Sequence, residues 1–169
     1  SRNKEGRLQN AFTGYRIKHL DDEMPSPYTT GLLDKFFDGK LVPILQTTRG
    51  CPFHCTFCAD GKDEVNQVNN FSIERVKEEL DYIVKHKHKD THNMIFSDLN
   101  FGMYPRDQEI AKYISDLQLK HGYPDFIYVS TGKNQKEKVI NAIKTLKDSM
   151  PLWMSVQSLD KGVLKNIRR

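Results

Sequence analysis

The sequence predicts an α/β fold, a partial (β/α) TIM-like barrel with about four parallel strands, truncated at the C-terminus. Three observations carry this expectation. Short apolar runs alternate with amphipathic helical stretches in the order β, α, β, α, β, α, β, α. Helices of this length between strands suit right-handed βαβ crossovers, which build parallel sheets. The 169 residues suit one domain with a core, and the last helical stretch stops without a C-cap, the pattern of a fragment. The alternation alone leaves open whether the sheet curls or stays flat, and a partial barrel is the expectation.

The elements follow in order. "LVPILQTT" (41–48) reads as a short buried strand between Gly39 and Gly50. "SIERVKEELDYIVKHK" places Ile73, Val76, Leu80 and Ile83 on one helical face, with Ser72 as N-cap. "NMIFSDLNF" (93–101) is the second strand. "RDQEIAKYISDLQLKHG" is the second helix, with Ile110, Tyr113, Ile114 and Leu117 inward and Gly122 as its stop. "DFIYVSTG" is the third strand, and the third helix, "QKEKVINAIKTLKD", turns Val139, Ile140, Ile143 and Leu146 to one side. "LWMSVQSL" (152–159) is expected as a fourth strand with Trp153 in the core, and "DKGVLKNIRR" as the start of a fourth helix. Residues 1–43, with prolines, glycines and little period, read as an extended connector from an upstream domain, leaving 44–169 as the domain proper.

Composition narrows the function classes. The net charge of +4 comes from lysines and arginines interleaved with acids, which argues against a nucleic-acid partner. No run of about 18 apolar residues exists, and "SRNKEGRLQN" lacks the apolar core of a secretory signal, so a cytoplasmic location without membrane attachment is expected. His86, His88 and His92 around "KHKHK" (85–89) read as a solvated helix end, where cations complement the dipole.

All three cysteines fall within "CPFHCTFC" (51–58). An odd cluster is no disulfide framework. The loop follows the first strand, at the carboxyl end of a parallel sheet, where α/β folds carry their chemistry. The CxxxCxxC spacing lets three thiolates turn toward one centre, with Gly50 and Pro52 bending the approach. Structural zinc would have to recruit His54 or a distant histidine as fourth ligand. A 4Fe-4S cluster held by three cysteines keeps one iron open for an outside ligand, a catalytic arrangement. Three ordinary reduced cysteines are the bland alternative. Arg49 either neutralises an anionic cluster or pairs with a neighbouring acid.

"CPFHCTFC" resembles the signature of the radical S-adenosylmethionine enzymes, with Phe57 in the aromatic position before the last cysteine. "PSPYTTGLLD", "IFSDLNFG" and "SVQSLDKGVLKNIRR" are similar to the branch in which a cobalamin-binding domain often precedes the radical domain. The resemblance implies that Cys51, Cys55 and Cys58 hold a 4Fe-4S cluster and that S-adenosylmethionine chelates its open iron. One electron from the reduced cluster then yields a 5'-deoxyadenosyl radical that abstracts hydrogen from substrate. It also implies a small-molecule substrate, an electron donor such as flavodoxin or ferredoxin, and cobalamin in a longer protein. A methylthiotransferase acting on RNA or protein shares the loop but needs three further cysteines. Phe57 is expected near the adenine. Asp98 and Asn100 stand where the family meets the methionine amino group, and Ser130, Lys133, Ser155 and Gln157 are candidate contacts to carboxylate and ribose.

Overall fold

The computed structural model describes residues 4–6, 17–63, 66–153 and 156–169. A short helix α1 (Leu20–Glu23) and a 3-10 turn at Asp34–Phe36 lead into strand β1 (Ile44–Leu45). Strands β2 (Thr48–Arg49) and β3 (Asn69–Asn70) close a small antiparallel ribbon around the cysteine loop. Then come α2 (Ile73–His86), β4 (Asn93–Phe101), α3 (Pro105–His121), β5 (Phe126–Thr131), α4 (Lys136–Thr145) and α5 (Lys161–Asn166). Among the described residues the main sheet has the order β1, β4, β5 with both pairings parallel. The structure is therefore α/β with a three-stranded parallel sheet, as the alternation requires.

Local signals explain most boundaries. The Ser72 hydroxyl accepts the Arg75 N–H at 3.2 Å and starts α2, whose Val76, Leu80 and Ile83 are fully buried. The Arg75 guanidinium pairs with Glu79 at 3.0 Å one turn on, so the buried acid on this face is satisfied. Pro105 opens α3, and Gly122 closes it at φ 64°, the left-handed cap that glycine adopts without cost. Burial of Ile110, Ala111, Ile114 and Leu117 turns α3 onto the sheet. Tyr113 sits between helices instead of inward, its hydroxyl donating to Asp81 at 2.7 Å. In α4 the core face is Val139, Ala142 and Leu146, and Ile140 is 40% exposed, contrary to expectation. Gly102 sets that rotation: a Cβ there would lie 3.1 Å from the Val139 Cα, so α4 approaches the end of β4 along Val139.

The lead-in contributes to the core through Leu20 and Tyr28. The Tyr28 hydroxyl donates to the Ile44 carbonyl at 2.7 Å and accepts the Ile44 N–H at 2.9 Å. Both Ile44 backbone groups face away from β4, so this one side chain satisfies them.

The expected fourth strand is not formed among the described residues of 152–159. The chain nevertheless runs beside β5: Ser149 O accepts the Ile127 N–H at 2.7 Å, and Trp153 O accepts the Thr131 hydroxyl at 2.5 Å. Both contacts hold the same register offset. Pro151 lies between them and has no N–H to give a ladder, which explains a strand position without a strand.

Asp107 carries a pH-dependent contribution to stability. It is buried, and one oxygen accepts the Tyr104 N–H at 2.9 Å. Burial pushes its pKa up to about 6; the charge of Asp98 adds to this, and the Tyr104 and Gly102 N–H groups and Arg106 oppose it. A folded pKa above the unfolded one means the contribution is complete below about pH 4 and is lost as pH rises through about 6. In urea unfolding from pH 4 to 7.5, the stability of Asp107→Asn relative to wild type is expected to rise by up to about 3 kcal/mol. A difference that stays flat across this range would refute the assignment.

Candidate cofactor site at the cysteine loop

The chain is pinned just before the loop. Thr47 is fully buried; its N–H donates to Asp98 Oδ1 at 2.7 Å, and its hydroxyl donates to Asp98 Oδ2. The Arg106 guanidinium donates to Thr47 O at 3.1 Å and to Phe71 O, joining the two sides of the loop's base. Burial raises the Asp98 pKa, with the Thr47 donors and Arg106 pulling the other way. Gly50, at φ 98°, then swings the chain into the loop.

Inside the loop the thiols are held by backbone bonds. The Cys58 N–H donates to Cys55 O at 3.1 Å, and the Gly61 N–H to Cys58 O at 3.1 Å. A 3-10 turn at Ala59–Gly61 folds back over Cys55 so closely that a Cβ on Gly61 would lie 2.4 Å from the Cys55 carbonyl oxygen. The Thr56 N–H donates to Ile167 O at 3.2 Å, tying the loop to the chain after α5. All three cysteines are free; Cys55 is 7% exposed, and Cys51 and Cys58 are half-buried.

The three cysteines line a cavity of about 250 Å³ together with Phe53, Phe57, Asp60, Leu99, Asn100, Ser130, Thr131, Lys133, Trp153 and Arg169. Of the residues singled out by sequence, Phe57, Asn100, Ser130 and Lys133 thus come to the thiols. Asp98 does not: it is 2% exposed with both carboxylate oxygens turned to Thr47, the position of an anchor rather than a wall. Gln157 is half-buried and away from the cavity, and Ser155 lies outside the described residues. Trp153 is not core; it is 63% exposed and forms part of the cavity wall, because Pro151 stops the chain from joining the sheet. Arg49 meets neither expectation: its Nε donates to Gln46 at 3.0 Å, and a terminal nitrogen reaches the Met24 sulfur at 3.1 Å. His54 faces Asp63 at 3.1 Å and is not a cavity residue.

Sequence reasoning missed Phe53, Asp60, Leu99, Thr131 and Arg169. The first two lie in the cysteine loop and were within reach of inspection. Arg169 had no local signal; its guanidinium stacks on the Phe53 ring at 5.1 Å across more than a hundred residues of chain.

Three thiols on one cavity are a donor set that could hold an iron–sulfur cluster. Among the described residues no three His, Cys, Asp or Glu side chains converge on one metal position. One polar side chain reaches Cys51. The Asn100 amide donates to its sulfur at 3.3 Å. Among the described residues the Tyr104 hydroxyl is buried without a partner, its pKa pushed up to about 12 by burial, with the Cys51 charge adding to it.

Fold and site together define a parallel α/β domain whose first strand-end loop presents three free thiols to one cavity. A sequence model of the radical SAM superfamily matches residues 45–169, and the chain belongs to that superfamily. It is 35% identical over 156 residues to the 2-(S-pantetheinyl)-carbapenam-3-carboxylate methyltransferase of Streptantibioticus cattleyicolor, covering 87% of this chain and 22% of that protein. It is 31% identical over 170 residues to the cobalamin-dependent radical SAM methyltransferase TokK of Streptomyces tokunonensis, covering 94% of this chain and 24% of that one. An uncharacterized methyltransferase of Pyrococcus horikoshii is 35% identical over 79 residues, 46% of this chain and 17% of its own. The chain thus spans less than a quarter of the length of these relatives.

Proposed function

We propose that this chain is the cluster-binding part of a radical SAM methyltransferase that acts on a small molecule, with cobalamin used by the longer protein. The observation that carries the reading is the gathering of Cys51, Cys55 and Cys58 on one cavity at the carboxyl end of a parallel sheet, in a chain of this superfamily. The names of the relatives favour methylation over methylthiolation. In this reading the βα units are part of a barrel, and an electron donor of the flavodoxin or ferredoxin type serves the cluster.

The cluster and S-adenosylmethionine, when bound, supply one-electron reductive chemistry. The chain's own residues bind, orient and exclude water. Cys51, Cys55 and Cys58 are the cluster ligands. Phe53, Phe57 and Trp153 give the cavity apolar walls for a purine and a thioether-derived chain. Lys133 and Arg169 match a carboxylate, Asp60 an ammonium, and Ser130 a ribose hydroxyl. Asp98 holds Thr47 and hence the base of the loop.

Anaerobic loading with iron and sulfide, followed by EPR of the dithionite-reduced protein with and without S-adenosylmethionine, tests the reading. About four irons per chain and a reduced-cluster signal that shifts on adding S-adenosylmethionine are expected. Zinc at about one per chain, with no iron retained, would overturn it.

A further inference from the structure

Asn100 stands at the end of β4, 7% exposed, where the strand passes the cysteine loop. Its side-chain amide donates to the Cys51 sulfur at 3.3 Å, linking residues 49 positions apart. The backbone around it is tightly set. Asn100 O accepts the Met103 N–H at 3.3 Å, and Gly132 packs so close that a Cβ there would lie 3.2 Å from Asn100 O and 2.6 Å from the Met103 Cβ. The amide is therefore delivered to the sulfur by a crowded strand end, not by a mobile loop.

Resting on the cluster reading above, we propose that Asn100 is a positioning residue for Cys51, whose N–H holds the thiolate in place and sets the cluster's reduction potential. An N–H that donates to a thiolate withdraws charge from sulfur, and the effect is greatest when the cluster carries its extra electron. The bond thus favours the reduced state and raises the potential. The other two thiols have no side-chain amide of this kind among the described residues, so Asn100 makes Cys51 electronically distinct.

The test compares wild type with Asn100→Leu and Asn100→Ala. Both variants lack the N–H, but one fills the space and the other opens it, so a shift common to both reports the donor and not the volume. In the cluster-loaded chain, EPR-monitored redox titration is expected to show the reduction equilibrium falling about tenfold in both, ~59 mV more negative for one electron. Potentials equal to wild type in variants with wild-type iron content and melting temperature would overturn the proposal. A second readout needs no cluster: the rate at which iodoacetamide alkylates Cys51 in the iron-free chain at fixed pH, with Cys58 as internal control. Loss of the donor is expected to change the Cys51 rate about threefold in both variants while Cys58 keeps its own, since the N–H that holds this sulfur is gone. Should the wild type fail to form a cluster, the functional reading falls, and the Cys51 rate alone decides this one: a change common to both variants supports the bond, and an unchanged rate overturns it.

Discussion

Gly61→Ala is expected to empty the cysteine loop almost as completely as Cys55→Ala, although it removes no ligand. Cys55→Ala deletes one of three thiolates, and no stable cluster is expected. In Gly61→Ala the new methyl would sit 2.4 Å from the Cys55 carbonyl oxygen and 2.9 Å from its nitrogen, both backbone atoms that a rotamer change cannot move. The loop must shift to accept it, and overpacking of this kind costs about 1–3 kcal/mol. That cost falls on the geometry of Cys55, so a loss of about tenfold in retained iron follows. The same 1–3 kcal/mol, for a chain of this size, lowers the melting temperature of the iron-free chain by about 2–12 °C. Iron content after loading and desalting, read beside a circular-dichroism melt, checks both halves. Full iron retention in Gly61→Ala would show that the 3-10 turn yields easily and does not fix Cys55.

Asp98→Ala should be the most damaging single substitution for stability outside the apolar core. The carboxylate takes the Thr47 N–H at 2.7 Å and also the Thr47 hydroxyl, and all of these groups are buried. Truncation leaves buried donors without acceptors, opens a void and removes the charge that faces Arg106, a combined cost of about 3 kcal/mol. For a chain of this size that corresponds to a fall of about 6–12 °C in Tm. Asp98→Asn keeps one acceptor for Thr47 and should lose only about 1 kcal/mol. Thermal melts of the iron-free chain separate this anchoring role from a cofactor contact. If Asp98→Ala melts like wild type yet abolishes the response to S-adenosylmethionine, the residue serves the ligand and not the loop.

What the sequence made legible was whatever a local period or a cap encodes. The second strand runs from Asn93 to Phe101 as read, Ser72 caps its helix, and Gly122 ends the next one. The thiol loop was equally plain, since CxxxCxxC after an apolar run is a contiguous signal. Three kinds of feature stayed hidden. The β2 and β3 strands have two residues each, too few to show a period of two. Asp98 and Asn100 alternate onto the same side of one strand, yet one grips Thr47 and the other reaches Cys51, a division set by partners 51 and 49 positions away. Trp153 carries the hydrophobicity of a core residue, and only the missing N–H of Pro151 explains why it stands at the cavity instead.

The pairing of Tyr28 with Ile44 bears on how the protein behaves among its own copies. A parallel sheet that ends in a bare strand offers unpaired N–H and C=O groups as a template for any extended chain. Here a single phenol occupies both groups of Ile44, so the outer rim of the sheet presents a ring and a closed hydrogen-bond circuit instead. Removing only the oxygen, as in Tyr28→Phe, keeps the ring and reopens the rim. Concentration-dependent self-association of Tyr28→Phe, read by sedimentation over a range of protein concentrations, is the expected result.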